Sequence, residues 1–386
     1  MKLARSLSLL STAAAALVAV WLLLPQPGRH VALAQSDCDS PRAHESGDFP
    51  QTIESGGETR EYILHIPPSY SGSDATPLVL NFHGLGSNSQ DQADYTGLPA
   101  KSDEEGFVLV MPQGLVTDII PVPHWNNTLL EPSPDDVAFV RDLIDKLEAD
   151  LCIDPARVFS TGMSMGGMIS TRLACNLSDR IAAIAPVAGL YFPPLADELP
   201  EAPECNSTRP VPIIAFHGTD DPIVPFDGGL PTDPDFDFRL HFRDIDGAVL
   251  PEWAAHHGCE TTPSDERVAE HIRLIRYDDC DQGATVQLYV VEGGGHTWPD
   301  ATSDQESLGF TTHEISANDL LWEFFQAHAL QEAPEATTTA PPPPQLPETG
   351  GADPAGRMGT AWYIAIGAAG AAVLAGAAVY RRRRGN

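Results

Sequence analysis

The run Gly162-Met163-Ser164-Met165-Gly166-Gly167 constrains this chain more than any other stretch. It joins a strand-like segment, Arg157 to Thr161, to a helix-like one, Met168 to Cys175. A Gly-x-Ser-x-Gly run in that setting can form a sharp elbow that lifts the serine oxygen clear of a sheet. The flanking glycines let strand and helix approach without a side-chain clash. The five-residue pattern alone is weak, because a small-residue helix start gives the same letters. Its weight comes from the strand-turn-helix context and from partners farther along the chain.

That context repeats along the middle of the chain. Tyr62 to Ile66, Leu78 to Phe82 and Phe107 to Met111 are short apolar runs bounded by Pro and Gly. Asp135 to Asp150 carries Val137, Val140, Leu143, Ile144 and Leu147 at helical spacing, and Ser133 before Pro134 is a candidate helix start. Further strands are expected at Ile181 to Val187, Val211 to Phe216 and Val286 to Val291, with a last helix over Ala317 to His328. Strands separated by helices predict an α/β fold: a mostly parallel sheet with helices on both faces.

Both ends have the character of processing signals. MKLAR is basic, Ser6 to Leu24 is nearly free of charge, and Ala32-Leu33-Ala34 offers a signal-peptidase site, so residues 1–34 are expected to be a signal peptide. The apolar stretch is also long enough for an uncleaved anchor, and export follows either way. Acidic residues outnumber basic ones 54 to 22, and no Lys/Arg-rich stripe interrupts the folded region, which argues against a nucleic-acid partner. Six cysteines with no C-x-x-C pair favour disulfides over zinc in an exported chain.

After the predicted domain, residues 35–331, comes a Pro/Thr-rich stalk over 332–345 that includes Pro341 to Pro344. Leu346-Pro347-Glu348-Thr349-Gly350 follows, then an apolar stretch from about Gly359 to Tyr380 and the tail Arg381 to Arg384. At ~1.5 Å per residue such a stretch spans about 30 Å, enough to cross a bilayer. The three parts in this order, residues 346–386, resemble the sorting signal of Gram-positive surface proteins. The resemblance implies that a sortase at Leu346–Gly350 cuts after Thr349 and joins the chain to the cell wall. A plain membrane anchor is the alternative.

A serine hydroxyl needs a base to take its proton, and the base needs a carboxylate to hold it. His296 follows the predicted strand Val286 to Val291 through a turn, Glu292-Gly293-Gly294-Gly295, that can carry a side chain over the sheet edge. His256, His257, His313 and His328 fall in helical stretches and receive no role. Asp220 and Asp221 both follow the strand Val211 to Phe216, and spacing does not separate them. The oxyanion hole is expected from the backbone N–H of Met165 and, after the strand Leu78 to Phe82, of Leu85. His83 reads as a brace for that loop. Trp125 and Trp298 are candidates for packing a substrate's acyl or aromatic group, with local packing as the alternative for each.

The runs NFHGLGSN, DDVAFVRDLID, IDPARVFSTGMSMGG, FHGTDDPIVPF and GGGHTWP, spread from about Glu58 to Leu330, resemble secreted polyhydroxybutyrate depolymerases and related feruloyl and acetyl-xylan esterases. The resemblance implies an α/β-hydrolase fold with Ser164 as nucleophile, His296 as base and Asp221 as the acid. Met165 departs from the pattern, since many relatives carry Asn there. Only its N–H enters the chemistry, and a more apolar pocket is expected. The resemblance also implies a bridge between Cys259 and Cys280, with Cys175–Cys205 and Cys38–Cys152 adopted for the remainder.

The expectation is therefore an exported, surface-displayed serine esterase that needs no metal or cofactor. Its partners would be an ester substrate, a sortase, and the wall or membrane through its C-terminus. A cell-envelope acyltransferase, a peptidase on the same fold and an inactive surface adhesin are the alternatives.

Overall fold

The computed structural model describes residue 38 and residues 42–127, 134–195, 204–234, 236 and 240–330. The expected signal peptide, stalk, LPETG motif, apolar stretch and Arg-rich tail lie outside the described residues, as does Ser133. Among the described residues, no helix is long and apolar enough to cross a membrane.

Six strands make the parallel centre of a sheet: β3 (Thr76–Phe82), β4 (Val108–Pro112), β5 (Ile153–Met163), β6 (Ala183–Val187), β7 (Ile213–Gly218) and β10 (Val286–Val291). They run near-continuously apolar, as strands covered on both faces must. Leu78, Val79 and Leu80 are wholly buried. Four antiparallel strands extend the edges: β1 (Gly47–Ser55) and β2 (Glu58–Ile66) on one side, β8 (Ser264–Ala269) and β9 (Ile272–Tyr277) on the other. The order is β1-β2-β4-β3-β5-β6-β7-β10-β9-β8. The sequence expectation caught the centre and part of β2 but missed β1, β8 and β9. β8 reads SDERVA with five of six residues exposed, so an edge ribbon of this kind shows no apolar signal.

Among the described residues six α-helices cover the sheet: α1 (Ser89–Thr96), α2 (Leu98–Glu105), α3 (Asp136–Asp150), α4 (Met165–Asn176), α5 (Leu250–His256) and α6 (Ala317–Ala327). Helices α3, α4 and α5 pack on one face, where Phe139, Leu143, Ile169 and Trp253 meet Leu78, Leu80 and Leu288. Helices α1, α2 and α6 pack on the other, where Tyr95, Leu98 and Phe325 meet Val79, Leu109 and Phe216. This is the α/β-hydrolase architecture expected from the sequence. Asp135, not Ser133, caps α3, its carboxylate accepting from Ala138 N. His313 lies in a loop rather than a helix, where Asp300 and Asp304 flank it.

Asp136 at the start of α3 is buried against Arg60 of β2 at 2.7 Å, and the guanidinium lies 3.9 Å from the centre of the Phe139 ring. Cysteines pair as Cys38–Cys152, Cys175–Cys205 and Cys259–Cys280. The first spans 114 residues and ties Cys38, ahead of β1, to the entry of β5. Three bridges and no free cysteine among the described residues fit an oxidising, extracytoplasmic setting.

Candidate active site

β5 ends at Met163 and α4 begins at Met165, leaving Ser164 alone at the turn with φ 57° and ψ −123°. A positive φ is strained for serine, so the turn has to be held. Ser164 N donates to Val187 O at 2.8 Å and Ser164 O accepts from Met168 N at 2.9 Å. Gly166 makes the close approach possible, because a Cβ there would sit 2.0 Å from the carbonyl oxygen of Phe82. The helix start is thereby pressed against the end of β3, and Ser164 stands just beyond the carboxyl end of the central strand β5.

β7 and β10 lie side by side and in register, Gly218 opposite Val291, so the loops that follow them meet. Asp221 leaves one and His296 the other. His296 Nδ1–H donates to Asp221 Oδ2 at 2.7 Å, since an ionised carboxylate can only accept. That tautomer leaves Nε2 with a lone pair, ready to take a proton. Asp221 Oδ1 accepts from Ile223 N and Val224 N, both at 2.8 Å. His217 Nε2–H is shared between Val224 O at 2.8 Å and Asp221 Oδ2 at 3.3 Å. Burial alone would push the Asp221 carboxyl up, but His296 and His217 together hold it far below the usual carboxylate range. Asp220, the other aspartate, is exposed and contributes its N–H to Gly294 O at 2.9 Å.

Behind the loop that carries Leu85 stands His83. Its Nε2 accepts from Gly114 N at 2.9 Å, so Nδ1 carries the proton and donates to Gly84 O at 2.7 Å. In a trans peptide the C=O and the following N–H point opposite ways. Fixing Gly84 O therefore fixes the direction of Leu85 N–H. Burial lowers the His83 pKa from 6.5 to about 4, which keeps the ring neutral. The backbone of this loop passes close to the serine: a Cβ on Gly84 would lie 3.3 Å from Ser164 Cβ.

Ser164, His296 and Leu85 line one cavity of about 410 Å³, together with Ser87, Asp91, Gln92, Tyr95 and Gln305. Met165 instead borders an adjoining apolar recess of about 50 Å³, which shares Ser164, Leu85, Ile223 and Phe236 with the cavity. The two tryptophans line neither. Trp125 is 1% exposed and donates its indole N–H to His83 O at 2.8 Å. Trp298 is wholly buried, with its N–H on Asn318 Oδ1 at 3.1 Å. The substrate-packing expectation is corrected for both, because an indole closed into the core by its own hydrogen bond presents no face to a ligand. The cavity-lining Asp91, Gln92 and Tyr95 escaped the sequence reading: they sit on a short polar helix without motif. His217 was missed too, although it opens the run His217-Gly218-Thr219-Asp220-Asp221. Among the described residues, no group of three His, Cys, Asp or Glu side chains could hold a metal ion.

Comparison with known proteins extends this geometry. The family described as Phospholipase/Carboxylesterase matches residues 132–234. The chain is 32% identical over 284 residues to the protein named "Putative esterase NocK" of Nocardia uniformis subsp. tsuyamanensis, spanning 69% of this chain and 79% of that one. It is 31% identical over 275 residues to "Probable feruloyl esterase C" of Aspergillus terreus, spanning 69% and 83%. The solved acetyl xylan esterase from Aspergillus awamori superposes with a TM-score of 0.52 over 72% of this chain and 99% of its own. At 14% identity it is a likeness of fold alone. The chain belongs to the esterase family these sequence relatives share, and it is a carboxylic ester hydrolase on the α/β-hydrolase fold.

Proposed function

We propose that Ser164, His296 and Asp221 form the catalytic triad of this esterase and that hydrolysis runs through an acyl-enzyme. Ser164 Oγ attacks the ester carbonyl carbon while His296 Nε2 takes its proton. The N–H groups of Met165 and Leu85 hold the oxyanion. Collapse breaks the bond to the alcohol oxygen, which receives the proton from His296. Water, deprotonated by the same nitrogen, then attacks the acyl carbon and releases the acid.

The observation that carries this reading is the 2.7 Å hydrogen bond that His296 Nδ1–H donates to Asp221, on a histidine that shares its cavity with a strained Ser164. Ser164→Ala should lower kcat by about 10⁶ without loss of fold, and fluorophosphonate labelling should disappear with it. Retention of a tenth of the activity would overturn the assignment. An inactive adhesin would show neither Ser164-dependent hydrolysis nor labelling.

The proposal extends to placement. Residues 1–34 would direct export, residues 35–331 would be the catalytic domain, residues 332–345 a stalk, and residues 346–386 the attachment signal. The three disulfides and the order of LPETG, apolar stretch and arginines support display at a cell surface. Hydroxyalkanoate polymer or oligomer, feruloylated or acetylated polysaccharide and small aliphatic esters are the candidate substrate classes.

A further inference from the structure

Two spaces of different chemistry meet at Ser164, and only one of them holds the histidine. His296 borders the larger space, whose far wall is Ser87, Asp91, Gln92, Tyr95 and Gln305. The smaller recess is walled by Met165, Met168, Leu195, Val224, Leu240 and Phe242, and none of the described residues that line it is titratable. Ile223 and Phe236 belong to both and form the partition.

The reaction itself assigns the two spaces. The base that takes the serine proton hands it to the departing alcohol oxygen, so the alcohol must lie on the histidine's side of the serine. The acyl substituent sits across the carbonyl carbon from that oxygen, and is directed away from the histidine. We infer that the apolar recess takes the acyl group and the polar cavity takes the alcohol, which makes the enzyme selective for short aliphatic esters of neutral, hydroxyl-bearing alcohols. The inference rests on Ser164 and His296 acting as proposed above.

Size sets the acyl limit. The recess, about 50 Å³ against about 410 Å³ for the polar cavity, is by far the smaller of the two spaces, so the shorter half of the ester belongs in it. Acetyl to butanoyl groups fit, whereas the ring-bearing tail of a hydroxycinnamoyl group does not. Apart from Ser164, the described side chains lining the recess are apolar, so a polar acyl group buried there would lose its hydrogen bonds to water. On the alcohol side, Asp91 brings a carboxylate to the cavity wall. Gln92 lines the same wall, its amide nitrogen donating to Asn81 Oδ1 at 2.9 Å. A carboxylate acceptor suits hydroxyl donors, and Asp91 on a chain of net charge −32 repels an anionic alcohol.

The test uses the purified full-length protein and p-nitrophenyl acetate, butanoate and octanoate, which share a leaving group, with methyl butanoate and methyl ferulate as a second pair. Acetate and butanoate should exceed octanoate in kcat/KM by about tenfold or more, and methyl butanoate should exceed methyl ferulate likewise. Met168→Ala and Phe242→Ala each enlarge the recess, and should raise the octanoate-to-acetate ratio by about tenfold. Two variants guard against one misfolding, which circular dichroism would reveal. Octanoate or ferulate turned over as well as the short esters would overturn the inference, as would an unchanged ratio in folded variants. A complete lack of Ser164-dependent hydrolysis would instead overturn the esterase mechanism beneath it.

Discussion

Asp221 keeps its charge where burial opposes it, because every lone pair it offers is answered by a backbone N–H or an imidazole. Asp221→Asn should lower kcat by about 10⁴ through loss of control over the His296 tautomer, whereas Asp220→Asn should cost far less. Reversed effects in the two variants would overturn the choice between them. His83 makes a pH prediction. Its folded pKa of about 4 lies below its ordinary 6.5, so folding favours the neutral ring. The associated stability is fully present above pH 6.5 and is lost as pH falls from there through about 4, to the extent of ~3 kcal/mol. Thermal midpoints at about pH 7.5 and about pH 4.5 should differ more in the wild type than in His83→Gln. Equal differences would remove His83 as a source of acid sensitivity. Both aspartates, and the brace at His83, could be named from sequence. The groups that answer them could not, since the backbone N–H of Gly114 and of Val224 and the ring of His217 reach them through contacts no local pattern encodes.

At the level of elements, the buried ion pair between β2 and α3 carries a second kind of risk. Asp136 is wholly buried, and burial raises its pKa despite the Arg60 guanidinium at 2.7 Å. Its other oxygen accepts from Asn126 N at 2.6 Å, next to Trp125 and hence next to the His83 loop. Asp136→Ala leaves a buried guanidinium unpaired and should cost about 3–5 kcal/mol in urea unfolding. Pairing it with Arg60→Met should recover much of that loss, because the stranded charge is then gone. Failure of the second substitution to recover stability would mean that the Asn126 bond, not the ion pair, carries the effect. The parallel strands and α3, α4 and α6 were legible because apolar spacing marks them. The short helices α1 and α2 were not: their polar sequences SQDQADYT and LPAKSDEE are held by packing and by Gly97, whose φ of 67° turns one helix into the next.

For the molecule as a whole, the proposed placement is tested at Thr349. If a sortase acts there, the mature protein should leave the membrane fraction and be released only by wall hydrolase, ending at Thr349 on a wall peptide. Thr349→Ala should stay in the membrane with its tail intact. Wild-type protein extracted fully by detergent, with Tyr380 still present by mass spectrometry, would establish a permanent anchor instead. The catalytic assignment is independent of either result, because no residue after Leu330 enters it.

The sequence by itself determined the parallel α/β centre, the elbow at Ser164 and the identity of the histidine and acid loops, because apolar periodicity, glycine and short motifs are local properties. Only the tertiary structure decided what surrounds them. The pairing of β7 with β10 brings Asp221 to His296 across 75 residues. The same packing closes Trp125 and Trp298 into the core and opens an apolar recess of about 50 Å³ beside the serine. Whether a side chain lines a cavity or fills the core depends on which distant segments arrive beside it. Spacing along the chain does not carry that information.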